Sequence, residues 1–468
     1  MHKTSSPTTD TAYRPNILFV LTDDLDYASA QQMPNLNSLL IEQGTSFENA
    51  FTSMSLCCPS RATILTGLYA HNHGVAVNDP PNGGFQKFRD QGREEDTIAV
   101  RLQEEGYRTA LFGKYLNHYG EDDPTHVPPG WDEWHAKVDS SAREEDTSGG
   151  GDVVEQSTKY YDYELNENGE VVSYGDSPED YITDVLSGGA TDFVRRAASG
   201  SEPFFLYLAP PAPHDPATPA ERHEGAFADE TAPRSASFGE EDVSDKPPWI
   251  GERRTISDRE ASRKIDALYR ERLASMLAVD EMLDSLVGEL TSAGQLDNTF
   301  VFFTSDNGWQ QGEHRIRVGK LYPYEESIRT PLFVRGPGVL AGSRVEKLVL
   351  NTDFAPTIAD LAGISLPGDG RSFASLLRGE GPAWRSAVLL EAAGGGSPPS
   401  YTGVRTETHK YVEYQTGERE LYDLETDPYE MESLHETADS SLVQELQAKL
   451  NVLRDCTGDG CREAEDSP

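Results

Sequence analysis

Two pairs of oxygen-bearing side chains close apolar runs in this chain. Asp23-Asp24 ends "NILFVLT" (Asn16–Thr22), and Asp306-Asn307 ends "TFVFFTS" (Thr299–Ser305). Together they offer three carboxylates and an amide oxygen, a hard-oxygen set that suits Ca2+ or Mg2+ and not zinc. Each pair alone is also ordinary turn chemistry after a strand. Two such pairs, each directly after a buried strand, favour a metal. Two further polar groups follow apolar runs: "TALFG" leads into Lys114, and "PFFLYLA" leads through "PPAPHDP" to His214. A different chemistry lies in "SLCCPSRATILTG", where Cys57 and Cys58 precede Pro59 and Arg61. Pro59 predicts a helix start, with the two cysteines at the cap and residues 60–69 as the body. Such an end presents unpaired N–H donors and positive partial charge, and Arg61 adds a permanent cation, so an anion is expected there. A reactive thiolate is the plain alternative, but it needs a histidine base beside the cysteine and leaves the oxygen ligands without a use. Two small buried core cysteines would leave Pro-Ser-Arg unexplained.

These residues come from distant segments, so a scaffold must collect them. The apolar runs 16–22, 109–113, 203–209, 299–305 and 331–336 read as strands buried on both faces. Amphipathic stretches lie between them, including "DTIAVRLQEEGY" and the long run 266–290. The alternation predicts an α/β fold, a large mixed and mostly parallel sheet sandwiched by helices. Ligands of open α/β sheets sit at the carboxyl ends of the strands, so the four polar groups should meet on one edge. A polar Gly-rich loop is expected at 140–152, a hairpin around 167–169, and a long loop bordering an entrance at 223–248. Beyond residue 380 the texture changes to short alternating strands and turns. The division is a catalytic domain at 14–380 and a small C-terminal α+β subdomain at 381–468 containing a short antiparallel sheet.

Eighty acidic residues against 40 basic ones give a net charge of −40, which excludes nucleic acid as a partner. An anionic substrate would be repelled by that charge, so its site must gather cations locally. No apolar run approaches the ~18 residues of a membrane span, and the polar N-terminus "MHKTSSPTTDTAYRP" lacks the apolar core of a secretory leader. Cys456 and Cys461, in "RDCTGDGCRE", could close a small loop as a disulfide, which favours an extracytoplasmic, oxidising place. Two thiols without a neighbouring histidine make a poor zinc site. The leaderless N-terminus leaves the cytoplasm open.

The stretch "CCPSRATILTG" (57–67) resembles the sulfatase signature, Cys-x-Pro-Ser-Arg followed by Leu-Thr-Gly. "RPNILFVLTDDLD", "GYRTALFGKYLN", "VPPGWDEWHA", "PFFLYLAPPAPHDP", "TFVFFTSDNG", "RTPLFVRGPG", "DFAPTIADLAGI" and "ELYDLETDPYE" resemble sulfatase segments in the family's order, from about residue 15 to 434. The doubled cysteine, "HNHG", "GKYLN" and "PAPH" are most similar to the N-acetylglucosamine-6-sulfatase and heparan-type glucosamine-6-sulfatase branch. The resemblance implies an alkaline-phosphatase-like fold and hydrolysis of a sulfate ester, as of a sulfated sugar such as glucosamine-6-sulfate. It makes Cys57 the precursor of formylglycine, installed by a formylglycine-generating enzyme, with Cys58 the variable neighbour. It assigns Ca2+, with Mg2+ as the other candidate, to Asp23, Asp24, Asp306, Asn307 and the modified Cys57. Arg61 would hold the modified residue, Lys114 and Lys320 would bind sulfate oxygens, and His214 or Lys320 would protonate the leaving alcohol. The hydrated aldehyde would attack sulfur, and its second hydroxyl would expel sulfate.

One departure stands out. Many arylsulfatases read Gly-Lys-x-His, whereas here Leu116 takes the histidine position and Asn117 and His118 follow as candidate replacements. His71 and His73 of "HNHG" could touch substrate, but are expected to cap or pack a helix end. Loops 79–93 and 223–254 should build the pocket walls. The rival readings are a phosphonate monoester or phosphodiester hydrolase of the same superfamily, and a non-catalytic glycan-binding protein. Intact Cys57, Arg61, Lys114, His214 and Lys320 argue against the second rival.

Overall fold

The computed structural model describes residues 14–139 and 159–467. Its strands, in chain order, are β1 (Asn16–Thr22), β2 (Thr45–Phe47), β3 (Ala50–Phe51), β4 (Arg108–Gly113), β5 (Glu133–Lys137), β6 (Glu164–Glu167), β7 (Glu170–Ser173) and β8 (Phe204–Ala209). There follow β9 (Thr299–Ser305), β10 (Leu332–Arg335), β11 (Ser343–Val345), β12 (Val349–Leu350), β13 (Ala387–Gly395), β14 (Pro399–Thr406), β15 (His409–Tyr414) and β16 (Arg419–Asp423). Ten of them form one mixed sheet in the order β11-β2-β10-β9-β1-β8-β4-β5-β6-β7. Its centre is parallel, while β10 runs antiparallel to β9 and the expected hairpin, β6–β7, closes the far edge. Asn168 and Gly169, both with positive φ, make its two-residue turn. The loop expected at 140–152 lies outside the described residues.

Every β1 residue is buried, because its two faces feed two cores. Ile17, Phe19 and Leu21 pack with Tyr207, Phe302 and Phe354 on one side. Leu18 and Val20 pack with Leu206, Phe303, Leu186 and Leu283 on the other, against the Ile182–Ala198 and Asp266–Ser292 helices. Strand alternation produces this division, and the continuous apolar run is its sequence signature. Register then delivers the chemistry. Thr22 of β1 lies opposite Ser305 of β9, so Asp23 and Asp306 leave the sheet side by side. Gly113 of β4 lies opposite Ala209 of β8, which starts Lys114 and the His214 segment from the same edge.

Strands β13 to β16 form a separate antiparallel sheet in sequential order. Its core joins Val388, Leu390, Val404 and Val412 to Phe51, Met54, Leu56 and Tyr69, so the small sheet packs directly behind the cysteine segment. Two helices, Ser440–Leu453 and Asp459–Asp466, cover it, with the Cys456–Cys461 disulfide between them. No helix among the described residues is long and apolar enough to cross a membrane.

A buried ion-pair triad ties the last helix to the main body. Arg385 lies 2.6 Å from Asp353 and 3.1 Å from Glu465, all three being fully shielded. The Tyr69 hydroxyl donates to Glu465 as well. Arg385→Met should therefore leave buried Asp353 without its cation and Glu465 with only Arg371, 3.0 Å away, and cost about 3–5 kcal/mol in denaturant unfolding. A cost below about 1 kcal/mol would mean the triad is not holding the C-terminal helix in place.

Candidate active site

Leu56 is extended, and the helix runs from Cys57 to Thr66 before Gly67 ends it in the left-handed region. The start thus comes two residues earlier than Pro59 predicts. Proline is tolerated inside the first turn because the N–H it lacks would have no intrahelical acceptor there. Asn78 Oδ1 accepts from the Cys58 N–H at 2.9 Å, which satisfies one open donor of that turn. Helical spacing places Cys57, Ser60 and Arg61 on one face. Ser60 donates to the Asp306 carbonyl at 2.5 Å, and Arg61 Nε donates to Asp306 Oδ2 at 2.8 Å. Arg61 Nη1 donates to the Lys114 carbonyl at 2.8 Å, and Nη2 stands 3.8 Å from Asp23. Cys58 enters the core instead, where burial pushes its thiol up to about 12 and out of nucleophilic use.

Cys57 Sγ lies 3.4 Å from Asp23 Oδ1 and 4.0 Å from Asp24 Oδ1. Lys320 Nζ sits 2.7 Å from both that sulfur and Asp24 Oδ1. Lys114 donates to Asp23 Oδ2 at 2.6 Å. Its approach relies on Gly113, whose φ is +110° and where a Cβ would fall 2.1 Å from the Ala209 carbonyl. His214 Nδ1 donates to the Asp215 carbonyl at 2.8 Å, which turns Nε2 toward Asp24, 3.7 Å away. The edge therefore brings together Asp23, Asp24, Cys57, Arg61, Lys114, His214, Asp306, Asn307 and Lys320, all buried.

The acidic core of this group has the makings of a cation site. Ligand atoms of Asp23, Asp24, Cys57 and Asp306 all lie within 4.8 Å of one another. Asp24 Oδ2 and Asn307 Oδ1 are shielded from water and accept no hydrogen bond. Buried acceptors left without a donor are costly, and a hard cation would satisfy them. Burial opposes ionisation of Asp23, but Lys114, with His214, Arg61 and Lys320, holds its carboxyl well below the usual range. Burial and the Asp23 charge push Asp306 up to about 6, against the pull of Arg61 and Lys114.

Sequence reasoning missed Arg272. It is fully buried on the Asp266–Ser292 helix, donates to the Asp24 and Pro213 carbonyls, and stacks over Trp309 at 4.8 Å. It thereby braces the turn carrying Asp24, a non-glycine residue at φ +69°. A signal existed: Arg272 interrupts the stripe Ile265, Tyr269, Met276, Val279, Leu283, a place where a charge needs a reason.

The other histidines divide by role. His118 contacts Asp79 at 3.0 Å, and that bond raises it to about 9, so it is charged at neutral pH. The main chain of Asn117 accepts from Phe85, while its Oδ1 is buried without a hydrogen-bond partner. His71 bonds Glu391 and the Cys456 carbonyl, which packs the helix end against the C-terminal region. His73 accepts from the Val75 N–H at Nδ1, 3.1 Å, and so carries its proton on Nε2 toward Thr63 at 3.0 Å. Burial holds it down at about 3, against 6.5 ordinarily. The unfolded chain therefore takes up this proton first, and the stability that neutral His73 contributes is full above pH 6.5 and falls steadily toward pH 3. His73→Gln should flatten that acid limb by up to about 1.4 kcal/mol per pH unit, measured by urea unfolding across that range.

Comparison with known proteins accounts for the assembly. Residues 15–364, most of the chain, match the family model described as Sulfatase. The chain belongs to the sulfatase family. It is accordingly a sulfuric ester hydrolase. Residues 312–456 also match the model described as N-sulphoglucosamine sulphohydrolase, C-terminal. The N-acetylglucosamine-6-sulfatase of Capra hircus is 35% identical, across 96% of this chain and 85% of that protein. The Homo sapiens protein of the same name is 35% identical, across 96% and 86%. A solved structure described as a complex with its substrate D-glucosamine-2-N,6-O-disulfate is similar at a TM-score of 0.79 and 27% identity, covering 97% of this chain and 99% of that one. In the enzyme, the sulfatase signature is the Cys57–Thr66 helix, with its first residue against three carboxylates.

Proposed function

We propose that the enzyme removes the 6-O-sulfate of a sulfated glucosamine, using a formylglycine made from Cys57 and a calcium ion held by Asp23, Asp24, Asp306 and Asn307. The observation that carries this reading is Cys57 at a helix start, with its sulfur between Asp23, Asp24 and Lys320. The substrate class rests on the N-acetylglucosamine-6-sulfatases to which the chain is similar. A bound cation would supply Lewis-acid stabilisation of sulfate oxygens, and the hydrate of the aldehyde would supply the nucleophilic hydroxyl.

The remaining work falls to the chain's own groups. Lys114, paired with Asp23, and Lys320, paired with Asp24, fix the equatorial sulfate oxygens, where charge accumulates during transfer. Open N–H groups of the Cys57 helix add to that field. Arg61, bonded to Asp306 and the Lys114 carbonyl, fixes the helix against the metal ligands and does not touch the substrate. His214 holds its Nδ1 proton on the Asp215 carbonyl, so a proton on Nε2 is the one delivered to the departing alcohol oxygen. Clustering these cations against buried acids lets a chain of net charge −40 take an anionic substrate.

The test is turnover of N-acetylglucosamine-6-sulfate and glucosamine-2-N,6-O-disulfate beside an aryl sulfate and a phenylphosphonate ester. The reading predicts that the 6-O-sulfated sugars have the highest kcat/KM; preference for the phosphonate would overturn it. Exhaustive chelation should abolish turnover, and Ca2+ should restore it. Activity that survives chelation, with the ion's absence verified by elemental analysis, would contradict a metal-dependent site.

A further inference from the structure

A second group of ligand-type side chains lies apart from the catalytic one. One ring nitrogen of His314 and one carboxylate oxygen each of Glu326 and Glu430 lie within 4.8 Å of one another. The three come from both sides of a junction. His314 and Glu326 flank Lys320 in the segment after β9, and Glu430 follows β16 of the small sheet.

The imidazole is set up as a ligand. His314 is completely buried, and its Nδ1 bonds Glu240 Oε2 at 2.8 Å. Tyr324 stacks on the ring at 4.0 Å. A carboxylate on one nitrogen fixes the tautomer that leaves the other nitrogen's lone pair available, the usual support of a metal-bound histidine. That second nitrogen, Nε2, is shielded and has no hydrogen-bond partner. Glu326 Oε2 is likewise shielded and unbonded, and its residue has no ion-pair partner among the described residues. Ser237 contacts its other oxygen at 3.4 Å.

Cations nearby are already engaged. Lys246 faces Glu240 at 3.5 Å and Asp245 at 3.0 Å. Lys410 pairs with Glu430 and, at 3.4 Å, with Glu325, which also takes Arg405 at 3.3 Å. Glu420 is bonded by the hydroxyls of Tyr324, Tyr414 and Tyr422. Glu326 and the open face of His314 are what this network leaves unsatisfied. A buried imidazole nitrogen and a shielded carboxylate oxygen that both lack a hydrogen-bond partner are costly, and one divalent ion satisfies both.

We propose that His314, Glu326 and Glu430 form a second metal site, distinct from the calcium site and selective for Zn2+. One imidazole and two carboxylates suit zinc better than the all-oxygen catalytic set does, and three protein ligands leave a fourth position for water. The ion rivets the segment carrying Lys320 to the C-terminal sheet, so its role is to position that segment.

The experiment uses the full chain with saturating Ca2+, titrated with Zn2+ by calorimetry and by thermal unfolding. Wild type should bind one Zn2+ per chain and unfold at a higher temperature with it. Glu326→Gln, which keeps the side chain's shape, should bind at least about 100-fold more weakly and lose the temperature shift. His314→Gln should do the same where it folds. Anomalous diffraction at the zinc edge should place the ion between the three side chains. Equal affinity in Glu326→Gln, or an anomalous peak only at Asp23 and Asp24, would overturn the proposal. None of these readouts depends on sulfate turnover, so failure here leaves the proposed reaction untouched, and failure of that reaction leaves this site testable.

Discussion

Cys57→Ala should lower sulfate ester turnover by at least about 10⁴-fold, to the limit of detection, while the protein stays folded. The side chain is the first of its helix and sits among Asp23, Asp24 and Lys320, where the proposed mechanism places the nucleophile. In the proposed mechanism this group forms a covalent bond to the substrate, so losing it removes a whole route, not one stabilising contact. Folding should survive because the helix start is held elsewhere, by Asn78 on the Cys58 N–H and by Ser60 and Arg61 on Asp306. The far-UV spectrum and the thermal midpoint check that directly. Appreciable turnover by the folded variant would move the nucleophile away from Cys57. Cys58 is no substitute, since its thiol lies in the core with its pKa pushed up to about 12.

Lys320→Met should reduce kcat by roughly 10²–10³-fold and leave KM less affected, since in the proposed mechanism the ammonium acts on charge that grows in the transition state. The same substitution has a second consequence. Lys320 is 2.7 Å from Asp24 Oδ1, inside a group of three buried carboxylates, and removing it concentrates negative charge there. Stability should therefore become more dependent on calcium in Lys320→Met than in wild type. Parallel unfolding curves with and without Ca2+ measure this: a larger ion-induced shift in the variant fits, and an equal shift would show that Lys320 does not balance those acids.

Much of this site is legible in the amino-acid sequence, because strand ends are. Asp23, Asp306, Lys114 and His214 each follow an apolar run, and the register of β1 with β9 and of β4 with β8 carries sequence adjacency into spatial adjacency. Lys320 follows no strand. Only the family resemblance points to it, since the segment after β9 folds back by contacts such as the Leu321 N–H to the Ser55 carbonyl, which no local pattern encodes. The helix start differs from expectation for a local reason: proline marks the first turn without marking its first residue. Arg272 escapes sequence reasoning because its partners are main-chain carbonyls of Asp24 and Pro213, which meet it only where the long helix lies across the strand ends. The helices after residue 439 are likewise hard to foresee, their apolar stripes being short and their packing partners remote. Resemblance supplies what periodicity cannot, the identity of the chemistry at Cys57.

The chemistry proposed at Cys57 is covalent, and mass spectrometry of the 55–61 peptide from catalytically active enzyme addresses it most directly. Conversion of Cys57 to formylglycine predicts a peptide about 18 Da lighter than the sequence requires, with the loss localised to residue 57. Only the unmodified thiol at that position, in enzyme that turns over sulfate esters, would contradict it.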